Sequence, residues 1–119
     1  MRLAYTATEE QHRKQAEHNQ LFLDQIDQAK YPDWKATVAF YKAVHLVQML
    51  FVRKGHNAGS HHRRNGILKR QYHAVWKAYR PLYAYSRLVR YRCYNATPAD
   101  LVYILKHLVR AETAIQKSP

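Results

Sequence analysis

The sequence has little cysteine, glycine or proline. Cys93 is the single cysteine among 119 residues, which excludes an intramolecular disulfide and both four-cysteine and Cys2His2 zinc sites. Three glycines and four prolines give few turn signals, and no segment shows the sustained alternation of a half-buried strand. These absences predict an all-α protein, folded as an antiparallel bundle of four to five helices.

Long hydrophobic runs are also missing. The most apolar stretch, 36–52, is interrupted by Lys42, His45 and Gln48 and is shorter than the roughly 20 residues that cross a bilayer. The first ten residues are polar and lack the apolar segment of a secretory signal. Together with the lone cysteine, these features predict a cytoplasmic protein that does not associate with membranes. A hydrophobic content of 47% supports one core, so we expect a single domain over residues 1–119.

Acidic residues are absent between Asp33 and Asp100. These 66 residues carry 13 of the 20 lysines and arginines and five of the eight histidines, in a chain of formal charge +12. A strongly positive segment without internal acids attracts polyanions, so we expect an RNA or nucleotide partner. The alternative is a solvated surface that contributes solubility, or one that pairs with the acidic first helix.

Several local signals predict where helices begin and end. Thr6 and Glu9 have the spacing of a capping box, followed by a helix to about Ala29. Asp33 is expected to cap a second helix, which should stop at Gly55 because glycine adopts the left-handed conformation at little cost.

The signals are less regular further along the chain. Ser60 can cap a third helical stretch, whose continuity at Gly66 and Pro81 is open. If residues 69–91 form one helix, one of its faces is basic and the opposite face is aromatic. Thr97-Pro98-Ala99-Asp100 is a helix start, with proline at the first helical position, and predicts a helix to about Gln116.

The second predicted helix is apolar nearly all round. Such a helix must be covered on most sides, either at the centre of a bundle or in a subunit interface. Because 119 residues provide little material for that cover, we expect a homodimer.

The loop after Gly55 concentrates imidazole and guanidinium groups. Its basic and capping side chains are Arg53, Lys54, His56, Ser60, His61, His62, Arg63 and Arg64. Cations beside the start of a helix favour an anion, so the loop is a candidate phosphate site. The alternative is a hydrated basic loop in which Ser60 only caps a helix. Three histidines without cysteine or nearby carboxylates match no zinc spacing, and we expect neither a metal nor a cofactor.

Residues 79–94 interleave five tyrosines with four arginines. Tyrosines stack on bases and arginines hold phosphates, so Arg80, Arg87, Arg90 and Tyr91 are candidate nucleic-acid contacts. Helical spacing instead assigns Tyr79 and Tyr83 to the core. It also directs Arg90 toward the apolar side, where a charge requires a partner or a ligand.

An ordered set of segments resembles HEPN (higher eukaryotes and prokaryotes nucleotide-binding) proteins. The likeness covers residues 8 to 116 and consists of the following segments in order: Tyr31-Pro32-Asp33-Trp34-Lys35-Ala36-Thr37-Val38-Ala39-Phe40-Tyr41-Lys42-Ala43-Val44-His45, Arg53-Lys54-Gly55, Ser60-His61-His62-Arg63-Arg64-Asn65, Ser86-Arg87-Leu88-Val89-Arg90-Tyr91 and Thr97-Pro98-Ala99-Asp100.

The resemblance implies a helical bundle that commonly dimerises. It further implies a toxin–antitoxin or defence context, with a nucleotidyltransferase as partner protein, in a family that contains metal-independent ribonucleases and non-catalytic members. The ribonuclease motif is an arginine followed by a histidine after four to six residues. No histidine stands at those positions after Arg87 or Arg90, and the literal match from Arg13 to His18 falls in the wrong segment.

Two function classes beside RNA or nucleotide binding stay open. A divergent metal-independent ribonuclease would use His61 as general base and Arg87 or Arg90 as the cation that stabilises the phosphoryl oxygens. A non-catalytic dimerisation module would use neither.

Overall fold

A computed structural model describes residues 7–118, and these residues form five helices. They are α1 (Glu9–Gln25), α2 (Pro32–Lys54), α3 (His61–Gln71), α4 (His73–Tyr91) and α5 (Pro98–Gln116). No strand occurs among these residues. The predicted all-α class is therefore confirmed, and so is a number of helices within the predicted range.

The longest helix, α2, lies at the centre of the fold. It packs against α1, α4 and α5, while α4 also contacts α5 and the short α3. Its side chains Phe40, Val47, Leu50 and Phe51 are completely buried. Because hydrophobic burial drives folding in proportion to the apolar area removed from water, α2 contributes the largest part of the core.

This packing removes the argument that a dimer is needed to cover the apolar second helix. The chain covers α2 with its own helices, and among the large apolar side chains of α2 only Trp34, Tyr41 and Val52 are exposed. None of the helices within 7–118 is long and apolar enough to cross a membrane.

The start and end of α1 differ from the sequence prediction. Its capping box is formed by Thr8 and Gln11, not by Thr6 and Glu9, and Thr6 lies outside the described residues. The helix ends at Gln25, before the predicted Ala29. Ile26 leaves helical geometry to enter the core, and the Asp27 carboxylate accepts the N–H groups of the next turn.

The start of α2 also differs. Its N-cap is Tyr31 and its first residue is Pro32, so Asp33 is not the cap. Proline has no N–H to leave unsatisfied and therefore suits the first helical position. Asp33 lies in the first turn instead, where a carboxylate favours the positive end of the helix dipole.

Three other helix boundaries agree with the sequence. Gly55 ends α2 with a φ of 77°, in the left-handed region that favours glycine. Ser60 caps α3 by accepting the Arg63 N–H. Thr97 and Asp100 form a capping box at the start of α5.

Residues 69–91 do not form one helix, and the continuity that the sequence left open is interrupted at Tyr72 and not at Gly66 or Pro81. Tyr72, with φ −134° and ψ 67°, separates α3 from α4. Its hydroxyl lies 3.0 Å from His56 Nε2 and its ring packs near Phe51, so tertiary contacts hold the junction in place. Pro81 does not divide α4, because the neighbouring Tyr79 and Leu82 are anchored in the core on the same helix.

Candidate nucleic-acid interface

A group of histidines and arginines lies near the middle of α2, and two of its members contact the ring of Phe40. The His61 ring centroid lies 5.6 Å from that of Phe40, and the Arg90 guanidinium carbon lies at the same distance from the ring. We call this group the histidine–arginine cluster; its members are His12, His45, His61, Arg64, Arg87 and Arg90. Four helices contribute to it, so only the folded chain assembles it.

Arg64 is the most buried cation of the cluster, with 6% of its surface exposed. Its Nη1 donates to His61 Nδ1 over 2.8 Å. Because a guanidinium can only donate, Nδ1 of His61 accepts in this arrangement and its proton resides on Nε2. Arg64 Nε has no hydrogen-bond partner among the described residues.

His12 and His45 form a second imidazole pair at the interface of α1 and α2. Their Nδ1 atoms lie 3.1 Å apart, so only one of the two carries the shared proton. Burial lowers the pKa of both residues, and the positive charge of Arg64 lowers both further. Both imidazoles are therefore neutral near pH 7.

The environment of His61 is equally positive. Burial is the main cause that lowers its pKa, followed by the charges of Arg64, Arg90 and Arg87. The neutral His61 imidazole can donate its Nε2–H, and the three guanidiniums around it can stabilise negative charge.

Tyr79 forms the floor of the cluster. It is completely buried, and burial raises its pKa to about 12, an effect that Arg64 partly offsets. The Tyr79 hydroxyl lies near the Arg64 guanidinium and has no well-aligned hydrogen bond within the described chain.

Arg87 and Arg90 are held against aromatic rings. The Arg87 guanidinium carbon lies 5.8 Å from the Tyr83 ring and 5.5 Å from the Tyr91 ring. Arg90 lies 5.0 Å from the Tyr91 ring and donates to Tyr41 Oη and to Ser86 O. The expectation that Arg90 points to the apolar side is confirmed, and cation–π contacts with neutral acceptors take the place of an acid.

An exposed groove runs along α4 next to the cluster. It has a volume of about 680 Å³. We call it the α4 groove; it is lined by Trp76, Arg80, Tyr83, Ala84, Arg87, Leu88, Tyr91 and Arg92. Tyr83 lines the groove and contacts His61, and Arg87 belongs both to the groove and to the cluster. The groove and the cluster are therefore adjacent.

Acidic groups take no part in either feature. None of the ion pairs found within 7–118 involves Arg64, Arg87 or Arg90. The same part of the chain contains no group of three or more histidine, cysteine, aspartate or glutamate side chains that could hold a metal ion.

The structure separates the predicted loop site into parts. Arg53 pairs with Glu9 at 3.1 Å and also donates to Ser118 O. His56 packs on Phe51 and contacts the Tyr72 hydroxyl, and Lys54 is exposed at the end of α2. These three residues do not join His61 and Arg64, because Gly55 turns the chain before α3 begins.

The other predicted residues have different surroundings. Ser60 is engaged as a cap, and His62 and Arg63 point to solvent on α3. Arg63 and Arg64 were treated alike in the sequence, yet only Arg64 is buried. Arg80 and Tyr91 are exposed in the α4 groove.

Sequence reasoning missed His12, His45 and the aromatic floor of the cluster. His12 and His45 are 33 positions apart, and nothing local pairs them. Phe40 and Tyr41 were assigned to an apolar helix without regard to the arginines that they support.

No protein-family model matches the chain, and neither a curated protein nor a solved structure shows a significant similarity to it. The functional interpretation therefore depends on the residues and geometry described above.

Proposed function

We propose that this protein binds single-stranded RNA or nucleotide phosphate through the α4 groove. The observation that carries the proposal is the groove itself, in which exposed arginines alternate with aromatic rings and no carboxylate intervenes. Bases stack on aromatic rings with little sequence preference, while guanidiniums hold the phosphates between them. We further propose that the chain is a HEPN-like homodimer from a toxin–antitoxin or defence context, with a nucleotidyltransferase as a partner.

Stacked guanidiniums support this proposal energetically. Arg87 and Arg90 are fixed on tyrosine rings, so part of the entropy lost on binding a phosphate has already been lost in folding. Tyr91, 64% exposed, keeps much of its surface free for a base. Replacing one such stacking platform typically reduces affinity by about 1–3 kcal/mol per base.

The test measures RNA affinity as a function of salt. Fluorescence anisotropy with labelled single-stranded RNAs of several sequences should show binding that weakens steeply between about 50 mM and about 200 mM salt, because bound cations release counterions. Arg80→Ala should weaken binding to every sequence and reduce the slope of log K against log salt by about 0.7, the value for one phosphate contact on a single strand.

Arg110→Ala provides the matched control, since Arg110 is an exposed arginine on α5 outside the groove. It should leave both affinity and slope close to the unmodified protein. Equal losses in the two variants would mean that net charge alone attracts RNA. An absence of binding at low salt would reject the proposal and favour a non-catalytic dimerisation module.

A second candidate function is metal-independent RNA cleavage. It is favoured by the position of His61, whose neutral imidazole lies among Arg64, Arg87 and Arg90. To act as a base, His61 would take the proton of a ribose 2′-hydroxyl at Nδ1 after Arg64 Nη1 has moved away from that atom. The 2′-oxygen would then attack the adjacent phosphorus while guanidiniums stabilise the phosphoryl oxygens, and the 5′-oxygen would leave with the proton that the imidazolium returns. The labelled RNAs of the binding test are incubated with the protein and a chelator and then analysed for fragments that end in a cyclic phosphate. Such fragments would show cleavage, and their absence would show binding alone.

A further inference from the structure

Arg64 is a buried cation without a counter-charge. Only 6% of its surface is exposed, the polar groups next to it are the neutral His61 ring and the Tyr79 hydroxyl, and its Nε has no hydrogen-bond partner in the described chain. An ionised group removed from water loses solvation that only a partner of opposite charge or several hydrogen bonds restore.

The nearest acids in the sequence do not supply that charge. Asp100 accepts hydrogen bonds from Tyr85, Tyr94 and the Thr97 backbone. Asp33 is exposed at the start of α2 and forms no ion pair within 7–118. No acid within 7–118 therefore pairs with Arg64, and a bound anion would supply the missing negative charge.

The groups around Arg64 suit one kind of anion. Arg87 and Arg90 add two further guanidiniums near His61, and His45 adds a neutral imidazole that senses the charge of Arg64. A phosphate monoester carries up to two charges, three terminal oxygens and a second pKa of about 6, close to that of imidazole. A phosphodiester has a single charge and its chain continues on both sides of the phosphate, so a terminal phosphate suits the nearly buried Arg64 better.

We propose that Arg64 and His61, with Arg87 and Arg90 beside them, form a seat for the terminal phosphate monoester of an RNA or nucleotide. This inference rests on the proposed function, because Tyr83 and Arg87 also line the α4 groove. A strand lying in the groove would have its end at His61, with the terminal phosphate directed toward Arg64. The protein would thus select strand ends rather than internal positions.

The experiment compares RNAs that differ only in their ends. A short oligouridylate is prepared with hydroxyls at both ends, with a 5′-phosphate, or with a 3′-phosphate. Calorimetry measures the affinity of the protein for each of these RNAs and, separately, for uridine 5′-monophosphate. One of the two phosphorylated RNAs should bind at least about tenfold more tightly than the hydroxyl form, a difference of about 1.4 kcal/mol. Which of the two does so identifies the end that is recognised.

Two variants distinguish a specific site for the terminal phosphate from non-specific attraction between the protein and the extra charge of the phosphate. His61→Asn should abolish the preference for the phosphorylated end, whereas His73→Asn, which alters an exposed histidine on α4, should retain it. A preference that survives in His61→Asn would overturn the inference. The comparison among RNAs on the unmodified protein keeps the test valid even where a variant folds poorly.

The remaining outcomes distinguish the two proposals. Equal affinity for all three RNAs overturns the terminal-phosphate seat and leaves the RNA-binding proposal standing. Failure of every RNA to bind overturns both. Equally tight binding of uridine 5′-monophosphate and phosphorylated RNA would support the terminal-phosphate seat and show that the α4 groove adds no affinity for RNA.

Discussion

At the scale of single residues, the His12–His45 pair links charge state to stability. The two imidazoles share one proton between Nδ1 atoms and lie near Arg64. A second proton would place two cations in contact beside a guanidinium. The folded state consequently disfavours protonation of this pair, which the unfolded chain accepts at the ordinary histidine pKa.

We expect the protein to lose stability as the pH falls. Since the folded pKa values of His12 and His45 are lowered, the unfolded state binds more protons below about pH 6.5, and acid therefore shifts the equilibrium toward unfolding. Their contribution is fully present above the unfolded pKa and is lost as the pH decreases through the lowered folded values. Urea unfolding followed by circular dichroism should give a lower midpoint at about pH 5 than at about pH 7.5.

Two substitutions locate the origin of this effect. His45→Asn should reduce the difference between the two midpoints, because one member of the pair no longer titrates. His18→Asn changes an exposed histidine on α1 and should leave the difference intact. An unaltered pH dependence in His45→Asn would show that other groups cause it.

At the scale of helices, boundaries are set by single residues with distinct conformations. Gly55 ends α2 in the left-handed region, and its N–H bonds back to the last turn. A Cβ at this position would meet no atom within 4 Å, so the constraint comes from the backbone and not from space. Gly59 is also unobstructed but lacks a left-handed φ.

Two alanine substitutions test this difference. Gly55→Ala should lower the free energy of unfolding by about 1–2 kcal/mol, the cost of placing an L-residue in the left-handed conformation. Gly59→Ala should be neutral or stabilising by up to about 1 kcal/mol, because it reduces the freedom of the unfolded chain. Urea midpoints measure both, and equal effects at the two positions would contradict the role given to Gly55.

At the scale of the whole molecule, positive and negative charges are distributed unevenly. The acid-free middle of the sequence provides α3 and α4, and with them the α4 groove and most of the cluster. Acidic side chains on α1 are engaged elsewhere, as in the pairs of Arg13 with Glu10 and Glu17. The positive groups of the groove are thus left available to a polyanion.

We expect the protein to be a dimer in solution, as the resemblance to HEPN proteins implies. Exposed aromatic residues between α1 and α2, among them Phe22, Tyr31 and Trp34, provide apolar surface for such an interface. Light scattering at micromolar concentration should give twice the 14.1 kDa of one chain. A mass of a single chain would contradict the dimer and agree with a bundle that covers its own core.

The sequence by itself determined the helical class, the caps at Ser60 and Thr97, and the end of α2 at Gly55. These features depend on interactions within a few residues, so periodicity and capping preferences suffice to predict them. Where a distant contact competes with a local signal, prediction failed. Tyr72 separates α3 from α4 through its contact with His56 and Phe51, and Ile26 shortens α1 by entering the core.

Only the tertiary structure decided which basic residues act together. Arg53 and Arg64 belong to one basic stretch of sequence, yet the first pairs with Glu9 and the second is buried without an acid. The pairing of His12 with His45, and of Arg90 with Tyr41 across 49 positions, follows from the packing of α1 and α4 on α2. The electrostatic environment of a side chain depends on such neighbours in space, which the order of residues along a chain does not contain.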